Sequence, residues 1–504
     1  MLQIFNTLLS QKEPFTPREP GKIGLYVCGI TPYDMCHLGH ARTYVTFDVV
    51  ARYLRASGYA VNFVKNFTDV EDKIINKANA EGVSASTISE RFIAEYEKDM
   101  AALGIGQPDH KPRVTTHITQ IIALVERLIA SGMAYPIAGD VYFEVSKFPT
   151  YLALSHRSWD DIEAGARVEV DERKRAPADF ALWKAAKPGE PFWDSPWGKG
   201  RPGWHIECSA MAESYLGETF DIHGGGRDLM FPHHTNEIAQ SEGASGKPFA
   251  KLWMHAGMLN VDNEKMSKSL GNFFTIRDVL KNVEGEALRA FFLNASYRGP
   301  MNISFPAVEE AERRIVYVYK TLHRAEQFLR GGTHPADAQK TGTPPGGTHS
   351  ADSGPLHQPE LVNAIWPRFA AAMDDDFNTA AALSSLSPVL TYLNEILDKP
   401  PKPRDQTLRT VQAIANELRR CGAIVGLYQS DPEEILARRH TRLVAQRGID
   451  VHKVDGLVAQ RNQARTEKRF ADADALRVEL AGMGIAVRDG VVGTLWEIVE
   501  QAPA

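Results

Sequence analysis

Cysteine is scarce, four in 504 residues, which excludes a secreted disulfide framework and suits a reducing compartment where thiols stay free or bind metal. No stretch reaches the ~18 consecutive apolar residues of a membrane span. The opening residues, MLQIFNTLLSQKEPFTPREP, pair no basic segment with a sustained apolar one. A soluble cytoplasmic protein is expected. Basic charge is not in excess either: Lys+Arg number 57 against 63 Asp+Glu, for a net −6. The chain is therefore not built to coat nucleic acid non-specifically, and neither DNA nor a membrane is an expected partner, though a local basic face is compatible with this balance. What is present is an ordinary globular composition, 43% hydrophobic, in a length that suits about three to five domains.

The first clear unit is a strand-like run at Gly24, Leu25, Tyr26, Val27 and Cys28, then a turn-rich loop from Gly29 to Gly39. A helical pattern follows, with Tyr44, Phe47, Val50 or Ala51, and Leu54 at three- and four-residue spacing and Gly58 as its stop. A second strand-like run spans Ala60 to Val64. Strand, loop, helix and strand make a βαβ unit, hence a parallel sheet with a ligand crevice at the strand carboxyl ends. The α/β pattern breaks from about Thr115 to Gly200, a region with an alternating strand at Val141 to Val145, and resumes near Trp204. The fold expected is a Rossmann-like nucleotide-binding domain split by an insertion, then an α-helical bundle and a small C-terminal α/β unit. The boundaries fall at 1–114, 115–200, 201–262, 263–307, 308–430 and 431–504. Between Gly331 and His357 the one large apolar side chain is Leu356, too little to offset ordering entropy, so this segment reads as a disordered loop.

Two short motifs point to phosphate chemistry. In the loop after the first strand, His37 and His40 stand three apart with Gly39 between, where a helix begins. A helix N-terminus offers unpaired N–H groups and partial positive charge, and glycine admits a ligand close to the backbone. The run Lys265-Met266-Ser267-Lys268-Ser269 sets two cations in a Gly- and Asn-rich loop suited to a polyphosphate. A third constellation is metal-like. Cys28 ends the first strand, Cys208 lies in GWHIECSAM, and His233 and Glu237 lie four apart in FPHHTNE, one face of a helix. Two thiolates, an imidazole and a carboxylate make an acceptable tetrahedral set. Spacing does not separate His233 from His234, since the latter also shares a face with Glu237.

HLGH after the first strand and KMSKS after the last part of the α/β region resemble the paired signatures of class I aminoacyl-tRNA synthetases. The stretches YVCGITPYDMCHLGHARTYVTFD, PGWHIECSAM, HGGGRDLMFPHHTNEIAQSE and EKMSKSLGN resemble, within that class, the bacterial-type cysteinyl-tRNA synthetase family from about Phe5 to Ser304, and more weakly beyond. The resemblance implies one zinc ion at Cys28, Cys208, His233 and Glu237. It implies ATP contacts from Lys268, with His37, Gly39, His40 and Lys265 around the phosphates, and an amino-acid and adenylate pocket lined by Thr68, Trp204 and Asp228. Cys36 and Cys421 match no ligand position and read as structural. Leu38 inside the first signature is a conservative departure. Monomer is the family's usual state.

The implied reaction joins L-cysteine to tRNA(Cys), with Mg-ATP as substrate and a cysteinyl-adenylate between two steps. The selectivity has a physical rationale. A hydrophobic pocket rejects a near-isostere by only about 10²-fold, whereas a metal binds thiolate and lowers a thiol's pKa but leaves a serine hydroxyl protonated. Such selection needs no editing domain, in keeping with the short insertion. For the tRNA, ten basic residues against five acidic ones between Arg438 and Arg477, Arg461, Arg465, Lys468 and Arg469 among them, suit phosphate contacts. Two other readings compete: a cysteine-activating small-molecule ligase, which has no need of the region from Ile315 to Trp496, and a zinc-stabilised RNA-binding protein, for which degenerate signatures are expected.

Overall fold

The computed structural model describes residues 1–160, 173–261, 264–265, 274–331, 354–490 and 493–499, with the main chain alone at 264–265. Lys268 and most of the 331–357 segment lie outside the described residues, as does the side chain of Lys265.

After a short antiparallel hairpin, β1 (Gln3–Asn6) and β2 (Gln11–Pro14), the chain enters the expected unit: β3 (Lys22–Ile30), α1 (Leu38–Ala56) and β4 (Ala60–Phe67). Strands β3 and β4 pair in parallel. Ile23, Leu25, Tyr26, Val27 and Cys28 are all buried, as a parallel strand covered on both faces requires. Helices α2 (Asp72–Glu81) and α3 (Ala85–Ala102) follow.

The insertion holds α4 (Ile118–Ala130) and four strands, β5 (Ala134–Ile137), β6 (Asp140–Phe143), β7 (Phe180–Ala185) and β8 (Gly200–Pro202), in one antiparallel sheet in that order. The strand expected at Val141 to Val145 ends at Phe143 and does not alternate in exposure: all four residues of β6 are buried. The reason is packing. Val141, Phe143 and Trp183 share one core with Tyr26, Cys28, Ile206 and Cys208, so the insertion is built onto the nucleotide domain.

The nucleotide domain resumes with α5 (Trp204–Leu216), β9 (Phe220–Gly226), α6 (Thr235–Ser245) and β10 (Ala250–Ala256). The parallel sheet runs β10-β9-β3-β4. Its two halves diverge between β3 and β9, so the carboxyl ends of these strands flank the crevice of a doubly wound sheet.

Next come β11 (Leu259–Val261), β12 (Glu264–Lys265), α7 (Ile276–Leu280), α8 (Gly285–Leu293), β13 (Met301–Ile303) and the long α9 (Phe305–Arg330). Helices Ile365–Met373, Ser387–Asp398 and Arg404–Val425 complete a bundle continuous with the core of α1 and the sheet. The end of the 331–357 segment is part of this bundle: Leu356 packs on the core, and the His357 N–H donates to Thr410 Oγ1 at 2.9 Å. The boundary expected at 431 also shifts. Helix Pro432–Arg447 is held to the bundle through Arg439 and Arg442 on Glu312, and Arg442 on Glu284. The small terminal core, with Val454, Leu457, Leu480 and Ile485, begins in helix Val451–Thr466.

A buried ion pair joins the signature helix to the bundle. On α1, Asp48 accepts from Arg289 of α8, from Arg52 Nε at 2.9 Å and from the Gly106 N–H at 2.9 Å. Burial raises the Asp48 pKa, but Arg289 and Arg52 outweigh it and hold the carboxyl below its usual range. Its contribution to stability is therefore complete above the ordinary carboxylate pKa and is lost as pH falls through the lower, folded value. Asp48→Asn strands a buried guanidinium and is expected to cost ~3 kcal/mol or more. Chemical denaturation at pH 7 checks this, and a loss under ~1 kcal/mol contradicts the assigned role.

Candidate active site and metal centre

The site is built from the carboxyl ends of β3, β4 and β9, the 230–234 segment, and the N-terminal parts of α1, α5 and α6. At the start of α1 the two histidines form a reciprocal cap. His37 Nδ1 accepts from the Gly39 N–H at 3.0 Å, and His40 Nδ1 accepts from the His37 N–H at 3.3 Å. Their rings stack at 3.7 Å. Burial holds the His40 pKa well below its ordinary value. A neutral imidazole that accepts at Nδ1 carries its proton on Nε2, so His40 is a hydrogen-bond donor on that side. The spacing of HLGH is thus a capping arrangement that leaves a donor for a ligand.

These histidines border a cavity of about 450 Å³ also lined by Cys28, Gly39, Tyr44, Asp228 and the 256–259 segment. Cys36, read as structural, is buried and joins the same wall; burial pushes its thiol pKa up, which leaves it a poor nucleophile. Gly29 enters the wall because a Cβ there would lie 1.6 Å from the Asn66 carbonyl oxygen. A wider cleft of about 700 Å³ at the opposite end of the strands, beside Lys22, Ala60 and Phe220, holds none of the site residues.

Next to Cys28 the four expected donors converge, all buried and within 4.8 Å of one another. Cys28 Sγ lies 3.7 Å from Cys208 Sγ and 3.3 Å from Glu237 Oε1, and His233 Nε2 lies 3.0 Å from the same oxygen. Metal bonds of ~2.3 Å to sulfur and ~2.0–2.1 Å to nitrogen or oxygen set tetrahedral edges of about 3.8 Å for S–S, 3.6 Å for S–O and 3.4 Å for N–O. The cluster thus fits a tetrahedral ion after shifts of a few tenths of an ångström. His233 is the nearer histidine; His234 turns to His255, Nδ1 to Nε2 at 2.8 Å. An overlapping set of Cys28, His223, His234 and Glu237 is also close enough, but His223 Nε2 already meets Glu237 Oε2 at 2.7 Å. That contact makes His223 the support of a ligand carboxylate.

Electrostatics favours the first set. A hydrogen bond from Cys28 brings Cys208 down to about 6. Burial, with Cys208 and Glu237 nearby, pushes Cys28 up. Burial alone would lower His233, but Glu237 and Cys208 raise it to about 10. His223 and His233 outweigh burial at Glu237 and keep it ionised. Two anionic donors are thus in place, balanced by a proton that a metal ion would displace.

Of the remaining expected residues, Trp204 stacks on His233 at 4.4 Å, and Thr68 is buried at the end of β4 with its N–H on the Ile30 carbonyl at 3.0 Å. Asp228 is exposed at the cavity edge. Sequence reasoning passed over His205, His223 and His255. His205 Nδ1 meets His233 Nδ1 at 2.9 Å, and His255 Nδ1 meets Thr7 Oγ1 at 2.9 Å. A signal for His223 was available: a histidine inside a run of buried strand needs a polar partner there. The basic excess near the C-terminus is largely answered within the chain. Arg461 and Arg465 pair with Asp489, Arg469 with Glu467 and Asp472, Arg438 with Glu434, and Arg439 and Arg442 with Glu312.

Comparison with known proteins places this geometry. Residues 14–313 match the class I (C) tRNA synthetase catalytic domain, 368–429 a DALR domain and 452–496 a cysteinyl-tRNA ligase anticodon binding domain. Methionyl-tRNA synthetase of Mycobacterium tuberculosis, solved with methionyl-adenylate, superposes with a TM-score of 0.59 at 16% identity, over 82% of this chain and 93% of that one. Arginyl-tRNA synthetase of Thermus thermophilus does so at 0.51 and 13%, over 84% of each. The fold is that of the class I synthetases. The cysteine–tRNA ligases of Geobacter metallireducens and Geotalea uraniireducens are each 49% identical, over 99% of both chains. The chain belongs to the cysteinyl-tRNA synthetase family. No helix among the described residues is long and apolar enough to cross a membrane.

Proposed function

We propose that the chain joins L-cysteine to tRNA(Cys) in two steps, with zinc at Cys28, Cys208, His233 and Glu237 selecting the substrate by its sulfur. The observation that carries this reading is the meeting of the metal donors and the capped histidines around one cavity, through Cys28. Two thiolates with one nitrogen and one oxygen in near-tetrahedral spacing favour zinc over harder ions. When bound, zinc lowers the pKa of an incoming thiol and ligates the thiolate.

The chain's own residues then position and stabilise. The start of α1 presents unpaired N–H groups, and His37 and His40 present ring donors, toward the phosphates of ATP. Lys265 and Lys268 add two charges from the second signature, and Asp228 stands at the cavity edge as an acceptor for the substrate amine or ribose. The cysteine carboxylate oxygen attacks the α-phosphorus as the bond to pyrophosphate breaks. A terminal ribose hydroxyl of the tRNA then attacks the adenylate carbonyl, and AMP leaves. Little acid–base chemistry is required, so orientation and charge dominate the rate. Six arginines of the basic stretch are engaged within the chain, so RNA recognition at the C-terminal unit draws on other groups. Phe470, 62% exposed at the first position of helix Phe470–Gly482, offers a ring for base stacking.

The matched anticodon unit leaves the small-molecule ligase reading without support. The experiment is ATP–pyrophosphate exchange with cysteine, serine or no amino acid, followed by transfer to tRNA(Cys) or to an amine. Exchange that depends on cysteine and transfer that depends on tRNA are expected. Exchange with serine at a comparable rate contradicts selection by sulfur.

A further inference from the structure

Two residues beyond the histidine pair, Arg42 is 2% exposed inside a helix where Asp48, Arg52 and Arg55 each have a partner of opposite charge. Its guanidinium is taken up entirely by main-chain carbonyls from two loops. Nη1 donates to Gly257 O at 2.9 Å and Met258 O at 2.7 Å, while Nη2 donates to Gly299 O at 2.5 Å, Tyr297 O at 3.3 Å and Ser296 O at 3.4 Å. Burial lowers its pKa to about 10, so it is still a cation at neutral pH. Burying a charge among neutral acceptors is costly, which makes the identity of those acceptors informative.

The first loop is the cavity wall: Gly257, Met258 and Leu259 line the same space as His37 and His40. The second loop holds the first from behind. Gly257 N–H donates to Tyr297 O at 2.7 Å, Met301 N–H donates to Met258 O at 3.0 Å, and Leu259–Val261 pairs in parallel with Met301–Ile303. The loops touch so closely that a Cβ on Gly257 would lie 2.1 Å from Gly299 O. The second loop is in turn fixed to the bundle, where Asp376 accepts from Tyr297 Oη at 2.9 Å and Arg298 Nε at 2.6 Å.

We propose that Arg42 is a positioning residue for the nucleotide site, holding the 257–259 wall at a set distance from the histidine pair carried on its own helix. A planar fork with its donors fixed in direction can span two loops at once; a lysine ammonium, a point donor on a flexible stem, cannot. This inference rests on the reading of the cavity as the ATP site.

Two full-length variants test it, Arg42→Lys and Tyr297→Phe, the second removing one of the two hydrogen bonds that hold the rear loop to Asp376 while leaving the guanidinium in place. Calorimetric binding of ATP and the KM values of ATP and cysteine in exchange are measured for each. Arg42→Lys is expected to raise the ATP constants about tenfold with the cysteine KM moved less than about twofold, and Tyr297→Phe to act in the same direction by about threefold. ATP constants equal to the parent in both variants, whatever happens to the melting temperature, overturn the proposal, as does an equal rise for ATP and cysteine. Should Arg42→Lys not fold, an unchanged ATP constant in Tyr297→Phe is sufficient to overturn it. Failure of the parent itself to bind ATP contradicts the ATP-site reading beneath it, a result distinct from any difference between variants.

Discussion

Cys208→Ala is expected to lose stoichiometric metal and, with it, about 10⁴-fold of kcat/KM for cysteine, ~5.5 kcal/mol. The size follows from what the donor set replaces. Removing one thiolate leaves Cys28, His233 and Glu237 around a vertex 3.7 Å from Cys28 Sγ, and the overlapping set that lacks Cys208 relies on His223 and His234, which are already engaged with Glu237 and His255. Without the ion, the choice of cysteine over serine falls to an ordinary pocket, which separates near-isosteres by only about 10²-fold. The fold should survive, because Cys208 fills a small buried volume on α5 that alanine can occupy with modest loss. Metal content by elemental analysis, exchange with cysteine and serine, and the circular dichroism melt separate these effects. A metal-free variant that still activates cysteine within tenfold of the parent would remove zinc from the account of selectivity.

Lys268→Ala is expected to slow adenylate formation by about 10²–10³-fold, ~2.7–4 kcal/mol, while cysteine binding changes by less than about twofold. Lys268 lies outside the described residues, but the strand that leads to it is anchored at the cavity. In β12, Lys265 pairs with Asn260 of β11, one residue beyond the wall residue Leu259. In the proposed reaction the charge of this lysine acts on charge that develops on the phosphates, which favours the transition state over the bound substrates. Single-turnover formation of the adenylate, with cysteine affinity measured separately, isolates the effect. Equal losses in rate and affinity would make the lysine a general binding residue.

Both experiments address groups that the sequence had named, and the reason they were legible is local. A helix start, a motif of two cations and a pair of donors four apart are short-range patterns that need no knowledge of what lies across the molecule. The same is true of β3, α1 and β4, whose apolar periodicity and Gly58 stop place the βαβ unit to within a few residues. The misses are non-local. The insertion looked like a separate region, yet Phe143 and Trp183 share a core with Cys208. The basic excess from Arg438 to Arg477 was counted without Glu284, Glu312 and Asp489, acids 28 or more residues away from several of the arginines they engage, as from Arg461 to Asp489. His223, 14 residues from Glu237, carries no motif of its own.

From the residues alone came the parallel α/β unit, both phosphate signatures, the four sulfur, nitrogen and oxygen donors and a family resemblance. The unit, the two signatures and the His233–Glu237 pair depend on spacing within one element or one loop, which the chain's covalent geometry fixes, whereas the full donor set, drawn from separate elements, came with the family resemblance. The contact of His233 with Glu237 while His234 turns to His255, the support of Glu237 by His223, the neutralised arginines and the five carbonyls on Arg42 were decided in three dimensions. A buried polar group takes whichever partner the packing brings within ~3 Å, and that partner's place in the chain is not constrained by any local rule.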